Sequence, residues 1–232
     1  GFHNAAVTAY AGGSGNDFVR MFDRPEAFTD LNELLDAKTE EFDLIRVNDG
    51  YAFNICSVGL DARIGTDVSG YKRIPLLQGF RAYAVSTLVN VARGIGEHYV
   101  LEINGEKIDG EQTMICVCSG QFYGGGFHPV PEADPRDGKL EVLLVKKVSR
   151  LQVAGVIGKY KQGKYRELPN LVRHFTTDRL TIHCDRDSAI NLDGELRFAK
   201  DIYIAVDEYK IPFFYPKSTK LVIKASRPTP VG

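Results

Sequence analysis

Three short segments of the chain combine glycines and acidic side chains in ways that suit phosphate or metal chemistry. The first, residues 13–18, reads Gly-Ser-Gly-Asn-Asp-Phe. Its glycines would let the backbone approach a bound group closely, and consecutive amides can donate hydrogen bonds to phosphate oxygens. Ser14 adds a hydroxyl. The residue types alone favour an ordinary strand-to-helix turn with an Asx cap, and a phosphate-binding loop is the alternative.

The second segment joins three consecutive glycines, residues 124–126, to an acidic loop at residues 134–139. Three glycines after a strand permit a bulge or a backbone pressed against a ligand. The acidic loop could bind a hard cation through a carboxylate and backbone carbonyls, because Mg²⁺ and Ca²⁺ prefer oxygen ligands. Composition alone favours a simple turn between strands.

The third segment, residues 191–195, reads Asn-Leu-Asp-Gly-Glu. Asp193-Gly194 is a common hairpin turn, and Asp193 and Glu195 are acids of the kind that could accept a proton from a hydroxyl or reach Mg²⁺. Residues 109–111 repeat the Asp-Gly-Glu tripeptide, and nothing local distinguishes the two copies.

The composition is that of an ordinary globular protein. The 232 residues are 44% apolar and 25% charged with a net charge of -1, so no charge imbalance favours nucleic acid as a partner, and any lipid or phosphate contact must be local. Cys116 and Cys118 are two residues apart on a predicted strand and share a face, which suits buried thiols in a reducing cytoplasm. No apolar run reaches the ~18 residues of a membrane-spanning helix.

The hydrophobic pattern predicts an α+β fold, with a fragment of an α/β unit followed by a mostly antiparallel β-sandwich carrying helices. Residues 1–40 would be the fragment of the α/β unit, and residues 41–232 would form the sandwich. Hairpin turns are predicted at residues 48–50 and at Asn104-Gly105. Strands are predicted at residues 5–11 (buried), 42–47, 51–58, 98–103, 113–119, 140–145, 180–184, 202–206 and 221–224, and helices at 28–35, 76–95 and 149–161.

The order of the motifs resembles that of the diacylglycerol kinase catalytic family, and in particular its bacterial lipid kinases. That family has a Gly-Thr-Gly-Asn-Asp-Phe loop, a Gly-Phe-Asp-Ala strand end, a Tyr-Gly-Gly-Gly turn, an Asp-Gly-Leu loop and a terminal Leu-Asp-Gly-Glu. The corresponding segments here are Gly13–Phe18, Gly59–Ala62, Tyr123–Gly126, Asp137–Leu140 and Leu192–Glu195. The resemblance extends from about residue 5 to residue 206.

The resemblance implies an ATP- and Mg²⁺-dependent transfer of phosphate to the hydroxyl of diacylglycerol, which gives phosphatidic acid. ATP would bind between the two domains, and Ser14 takes the position of the family's nucleotide-contacting Thr. Glu195 matches the general base, and Asp193 precedes it in the same motif. The implied nucleotide-binding set is Gly13, Ser14, Gly15, Asn16 and Asp17.

The resemblance also implies a structural Mg²⁺ site in the acidic loop, distant from the phosphoryl transfer. Asp137 would supply the side-chain ligand, and the backbone carbonyls of Asp134 and Lys139 would complete it. The second Asp-Gly-Glu tripeptide, residues 109–111, has no counterpart in the family's motifs and is interpreted as a turn.

One departure from the family pattern is large. The Gly-Gly-Asp-Gly-Thr motif, which binds ATP phosphates and Mg²⁺ in the family, has no match here. It would lie upstream, in a further 70–100 residues or so, and this chain alone is expected to transfer phosphate poorly. The expected setting is cytoplasmic and peripheral to a membrane that supplies the lipid, in a family whose members often form homodimers. The alternatives are a non-catalytic lipid- or nucleotide-binding module and a kinase for a sphingoid base, a ceramide-like lipid or a polyprenol.

Overall fold

Alternating buried and exposed residues build two antiparallel β-sheets in the computed structural model, which describes residues 5–13, 15–60, 62 and 96–224. The strands are β1 (Ala37–Phe42), β2 (Ile45–Val47), β3 (Gly50–Ala52), β4 (Ile55–Gly59), β5 (Glu97–Ile103), β6 (Glu106–Cys118), β7 (Leu140–Lys146), β8 (Val172–Thr177), β9 (Arg179–Leu192), β10 (Glu195–Val206) and β11 (Ile211–Pro216). The α-helices are α1 (Leu31–Leu35) and α2 (Arg150–Lys161), and 3₁₀ turns cover Phe18–Met21, Pro25–Thr29 and Tyr165–Glu167.

The larger sheet contains nine strands in the order β3-β2-β10-β9-β4-β6-β7-β8, with β5 paired to both β6 and β9. The long strands β6 and β9 are therefore both paired with the same two short strands. Strand β5 pairs with their N-terminal parts, and β4 pairs with their C-terminal ends. Residues at the start of β4 and at the ends of β6 and β9 consequently meet at one end of the sheet.

Three of the hairpins turn in two residues, as their sequences favour. The turns are Asn48-Asp49, Asn104-Gly105 and Asp193-Gly194, which connect β2–β3, β5–β6 and β9–β10. The first residue of each turn has a φ near +50°, a conformation that Asn and Asp tolerate better than most residues. The two hairpins predicted at residues 48–50 and 104–105 are confirmed.

Both faces of the larger sheet are covered along β6 and β7, which is why these strands are almost continuously apolar. Ile115 and Val117 face the main core with Val142 on β7. Cys116 and Cys118 face a second core with residues of α2 and of the loop at 127–133. The two cysteines are buried thiols with sulfur atoms 3.5 Å apart, as their spacing predicts. The mostly antiparallel β-sandwich with helices is confirmed.

A second, two-stranded sheet of β1 and β11 packs against the N-terminal segment. Its core is a group of aromatic rings, in which Phe42 stacks on Phe213 with centroids 5.0 Å apart and Phe22 lies 4.9 Å from Tyr215. The last strand of the described chain thus packs on residues of the first forty. The division into domains at residue 40 stays a prediction.

Two predicted strands are wrong. Residues 5–11 make a single parallel bridge, between Val7 and Phe213, and Val7 is 40% exposed. The segment therefore does not form the buried strand that was expected. Residues 221–224 likewise contribute only one bridge, from Leu221 to Phe22.

Two further expectations need correction. The helix predicted at residues 28–35 is divided at Asp30, whose carboxylate caps α1 by accepting from the Asn32 amide. The tripeptide at residues 109–111 lies inside β6 and does not turn, because the chain has already reversed at Asn104-Gly105.

The remaining helices are as expected where the structure describes them. Helix α2 begins at a capping box made by Ser149 and Gln152, close to its predicted bounds. The predicted helix at 76–95 lies outside the described residues, as do Ser14 and Asp61 of the family motifs. Of the helices that are described, none has both the length and the apolar character to span a membrane.

Candidate functional site

The β9–β10 turn places the Asp193 carboxylate against the backbone between β3 and β4. The carboxylate accepts hydrogen bonds from the amides of Phe53, Asn54 (3.0 Å) and Ile55 (2.8 Å). Burial of the carboxylate raises its pKa, and these three amides partly oppose that rise. Its oxygens thus accept from three backbone amides of the chain, and the catalytic role expected for Asp193 stays a prediction.

Glu195, two residues later, is in a different environment. It is the first residue of β10, pairs with Leu192 across the turn and is exposed. Within the described part of the chain, no hydrogen bond or ion pair engages its carboxylate. Of the two acids in this motif, Glu195 is therefore the one whose oxygens can receive a proton from a bound molecule.

Asn54 connects the Asp193 turn to the segment that precedes the three glycines. Its side-chain amide donates to the Phe122 carbonyl at 2.8 Å, and its own carbonyl accepts from the amides of Ser119 and Gly120. A Cβ atom at Gly120 would lie 2.0 Å from the Asn54 side-chain oxygen, so this close approach requires glycine. Asn54 thereby fixes residues 119–122 relative to the Asp193 turn.

The glycine turn at residues 124–126 in turn contacts the N-terminal loop. All three glycines have positive φ values, 59°, 81° and 103°, which glycine adopts readily. The Gly125 amide donates to Asp17 Oδ2 at 2.7 Å. The amide that could have bound a phosphate at this point is therefore already paired with a carboxylate of the chain itself.

Asn16 shapes the N-terminal loop. Its side chain accepts from the Gly13 amide and donates to the Ala11 carbonyl, both at 3.0 Å, and its φ is +48°. Asp17 occupies the N-cap position of the 3₁₀ turn but makes no capping bond, because its carboxylate is directed to Gly125. The local Asx structure expected at this loop is thus made by Asn16, and Asp17 serves a long-range contact.

Together these contacts form one continuous path from Glu195 to the loop at 13–17. The path runs through Asp193, Asn54 and the glycine turn, and the Phe18 and Phe53 rings, 4.8 Å apart, add a second link. The described loop residues (Gly13, Gly15, Asn16 and Asp17) are joined to the Asp193–Glu195 turn in this way. Their role as nucleotide ligands stays a prediction, and Ser14 lies outside the described residues.

The acidic loop at residues 134–139 is held by a different set of contacts. The Asp134 carboxylate forms a bidentate pair with Arg136 (2.8 and 3.0 Å), so it contributes no free side-chain oxygen pair. Asp137 accepts from the Lys139 amide at 2.8 Å. Buried Asp43 accepts from the Gly138 amide at 2.7 Å and pairs with Lys210 at 2.8 Å.

The electrostatics of this loop bear on the predicted cation. Burial, together with the charges of Asp134, Asp43 and Glu141, raises the pKa of Asp137. In the part of the chain that the structure describes, no three His, Cys, Asp or Glu side chains gather as a metal-binding group. A site here would therefore depend on one carboxylate and on backbone carbonyls, the donor set predicted for Asp137, Asp134 and Lys139.

Three residues that matter in these contacts were missed from the sequence. Asn54 lies between two apolar strands with no local signal, and Asp43 shows no pattern before its partner Gly138 is known. Arg20 follows Asp17 by three residues, a spacing that could have indicated contact, and its guanidinium donates twice to the Gly15 carbonyl at 3.2 and 3.1 Å.

His128, which follows the glycine turn, is a neutral imidazole in this arrangement. Its ring stacks on Phe122 with centroids 3.8 Å apart, and Nε2 lies 3.3 Å from the Gln121 side-chain oxygen. Burial, with a smaller contribution from Lys224, lowers the pKa of His128 to about 4. The imidazole is therefore uncharged near neutral pH.

Comparison with known proteins gives consistent matches over most of the chain. Residues 54–206 match the family model described as the YegS C-terminal NAD kinase beta sandwich-like domain. A "Putative lipid kinase" of Staphylococcus carnosus (strain TM300) is 27% identical over 205 residues, which is 88% of this chain and 66% of the relative. A similarly named protein of Staphylococcus aureus (strain MSSA476) is 26% identical, over 84% of this chain and 64% of the relative.

Solved structures agree on the fold. A diacylglycerol kinase from Bacillus anthracis str. Sterne superposes with a TM-score of 0.64 at 17% identity, covering 92% of this chain and 68% of that one. A second B. anthracis structure, titled as a putative diacylglycerol kinase, gives a TM-score of 0.71 at 19% identity and covers 93% and 71%. Measured against the two staphylococcal relatives, the chain spans slightly less than two thirds of their length, 66% and 64%.

Replacing Asp193 by Asn should destabilise the protein by about 2 kcal/mol, because one oxygen that accepts backbone amides becomes a donor facing them. Asn tolerates the positive φ of this turn, so the change isolates the hydrogen bonds. Urea denaturation would measure the effect. Asp49→Asn, at an exposed acid in the second position of the β2–β3 turn, is the control and should stay within about 0.5 kcal/mol of the wild type. Equal stability of both variants would contradict the anchoring role.

His128 should make stability fall with acid. Because its pKa is lowered to about 4 from the ordinary 6.5, the unfolded chain binds more protons between those values, and the free energy of unfolding decreases as the pH drops through this window. We expect a loss of about 1–2 kcal/mol, given the partial exposure of the ring. Chemical denaturation at a series of pH values should show this loss in the wild type and not in His128→Gln.

His98→Gln is a control whose effect on the pH dependence of stability should be opposite to that of His128→Gln. Hydrogen bonds to Asp109 and Asp185 raise the pKa of His98, so it adds stability at low pH that is lost as the pH rises. In His98→Gln the free energy of unfolding should therefore fall more steeply with decreasing pH than it does in the wild type. An acid profile of His128→Gln identical to that of the wild type would contradict the role of the buried ring.

Proposed function

Because this chain belongs to the family of YegS C-terminal NAD kinase beta sandwich-like domains, we propose that it forms the lipid-acceptor side of an ATP-dependent lipid kinase. The proposed reaction transfers the γ-phosphoryl group of ATP to the hydroxyl of diacylglycerol. The observation that carries the proposal is the hydrogen-bonded path from the Glu195 turn to the loop at 13–17. In this proposal residues 1–40 belong to the nucleotide-binding domain and residues 41–232 to the sandwich.

Glu195 is the proposed general base. Phosphoryl transfer requires positioning and charge neutralisation more than covalent help from the protein. As the lipid oxygen bonds to the γ-phosphorus and the bond to the ADP oxygen breaks, the hydroxyl proton would pass to the exposed Glu195 carboxylate. Its freedom from contacts with the described chain supports this role, whereas the three amide bonds to Asp193 support a positioning role for that residue.

The loop at 13–17 is the proposed phosphate-contacting segment. The Ser14 hydroxyl and the loop amides would donate hydrogen bonds to phosphate oxygens, as glycine-rich loops do elsewhere. Asp17 fastens this loop to the glycine turn, and its Oδ1 is buried without a hydrogen-bond partner in the described residues, 3.5 Å from Arg20 Nε. A buried carboxylate oxygen without a partner is suited to accept a hydrogen bond from a donor group of a bound molecule.

A Mg²⁺ ion is proposed for the acidic loop, with the Asp137 carboxylate and the carbonyls of Asp134 and Lys139 as its ligands. The raised pKa of Asp137 supports this assignment, because neighbouring negative charges that disfavour the carboxylate would be offset by a cation. When bound, the ion would supply structural charge compensation to the loop. The described hydrogen bonds and ion pairs of this loop lead to Glu40, Asp43 and Lys210, which agrees with a structural ion.

The lipid substrate places the proposed reaction at a membrane surface. Diacylglycerol is scarce in water, so its hydroxyl must be taken from a bilayer by a protein that associates peripherally, here proposed on the cytoplasmic side. Homodimer formation stays a prediction.

Glu195→Gln should reduce phosphoryl transfer at least ~100-fold, because the amide cannot accept the hydroxyl proton. The measurement is transfer of labelled γ-phosphate from ATP to diacylglycerol in mixed micelles, with the protein in its longest natural form. Melting temperature should be unchanged, since Glu195 is exposed. Glu208→Gln, an exposed acid outside the path, is the matched control.

The same assay separates the alternatives. Activity near that of the wild type in Glu195→Gln would show that the base assignment is wrong. A second possible result is that the wild type phosphorylates another lipid in this assay: a sphingoid base, a ceramide-like lipid or a polyprenol. That result would identify this lipid, and not diacylglycerol, as the substrate. Nucleotide binding without transfer to any of these lipids would favour a non-catalytic module.

Mg²⁺ should raise the melting temperature of the wild type and leave Asp137→Asn nearly unaffected, because only the bound, folded state gains from the ion. We expect a shift of a few degrees, measured by differential scanning calorimetry with and without a millimolar excess of the ion. Asp187→Asn, an exposed acid on β9, is the control and should respond as the wild type does. An equal response of Asp137→Asn would place the ion elsewhere.

A further inference from the structure

Arg20 lies where the N-terminal loop meets the glycine turn, and neither motif includes it. Its Nε and Nη2 atoms donate to the Gly15 carbonyl at 3.2 and 3.1 Å, and Nε is 3.5 Å from Asp17 Oδ1. Its Nη1 is so close to Gly126 that an added Cβ there would lie 2.8 Å away. The guanidinium thus contacts both glycine-rich segments while its side chain stays 42% exposed.

The double hydrogen bond to Gly15 fixes the direction of the next amide. In a trans peptide the carbonyl and the following N–H point in opposite directions. With the Gly15 oxygen held toward Arg20, the Asn16 N–H must point away from the guanidinium, on the opposite side of the loop. Asn16 is itself exposed and is held at a φ of +48° by the bonds of its side chain to Gly13 and Ala11.

The loop amides are available for a ligand. In the described part of the chain, the N–H groups of Gly15, Asn16 and Asp17 donate to no acceptor, although both side chains in this run are engaged. Three consecutive amides with no acceptor among the described residues favour an anion with several oxygens, such as a phosphate. A guanidinium on the Gly15 carbonyl also polarises the peptide, which makes the Asn16 N–H a stronger donor.

We propose that Arg20 is a positioning residue for the terminal phosphates of the nucleotide: by holding the Gly15 carbonyl it directs the Asn16 amide toward them. This inference rests on the proposed function and adds a residue to it. An alternative role, in which Arg20 only fastens two loops together, would affect every ligand of the site equally. The two roles differ in their effect on phosphate-bearing and phosphate-free ligands.

The test is isothermal titration calorimetry of ATP and of adenosine with the protein in its longest natural form. In Arg20→Ala the dissociation constant for ATP should rise about tenfold or more, as expected for loss of aligned charge-assisted contacts, while that for adenosine changes less than about twofold. Arg20→Lys, which keeps the charge but donates from a single nitrogen, should recover part of the ATP affinity. Arg24→Ala is the control, since Arg24 is equally exposed (42%) and pairs with Glu26 and Glu33 away from the loop.

The possible outcomes are distinct. Parallel loss of ATP and adenosine affinity in Arg20→Ala would reduce Arg20 to a structural fastener and overturn the inference, and so would unchanged affinity for both. If Arg20→Ala fails to fold, the same comparison is made with Arg20→Lys, where a loss confined to ATP supports the inference and an equal loss contradicts it. A wild type that binds ATP no better than adenosine would remove the phosphate contacts altogether and with them the proposed function.

Discussion

The contact between the Asp193 carboxylate and the amides of residues 53–55 is the constraint on which the candidate site depends. Burying a carboxylate is unfavourable, as its raised pKa reflects, and three amide donors are what make the position tolerable. The same contact joins the β9–β10 turn to the start of β4. Glu195 and Asn54, which flank it on either side, therefore have fixed positions relative to each other.

Sheet topology explains why distant segments of the chain converge here. In the antiparallel ladder the start of β4 is opposite the end of β6, through Ile55 and Cys118, and the adjacent Cys56 is opposite Leu192 at the end of β9. Whatever follows β6 and β9 must then emerge beside residues 53–55. The glycine turn follows β6, and the Glu195 turn follows β9. Strand pairing alone therefore brings together two of the three segments that carry candidate functional residues. The third, at residues 13–17, is added through Asp17.

Local features of this fold could be read from the sequence, and long-range ones could not. The turns at Asn48-Asp49 and Asn104-Gly105 depend on neighbouring residues, and both were predicted. Asp193 and Asp17 were singled out as acids, but their hydrogen-bond partners lie some 140 and 108 positions away. No local sequence signal therefore indicated that these carboxylates connect distant segments. The strand predicted at residues 5–11 failed for a related reason: an apolar run specifies a strand only where a partner edge is available along its length.

The proposed division of roles between Asp193 and Glu195 follows from what a general base requires. A carboxylate whose oxygens already accept three backbone amides is poorly placed to accept a further hydrogen bond from a substrate hydroxyl. A free carboxylate on a mobile loop would have the opposite fault, since a displacement of about 1 Å can cost ~100-fold in rate. A turn of two residues with Asp193 anchored at its first position avoids both: the fixed acid sets the backbone, and the exposed acid two residues later keeps its oxygens open at a defined place on β10.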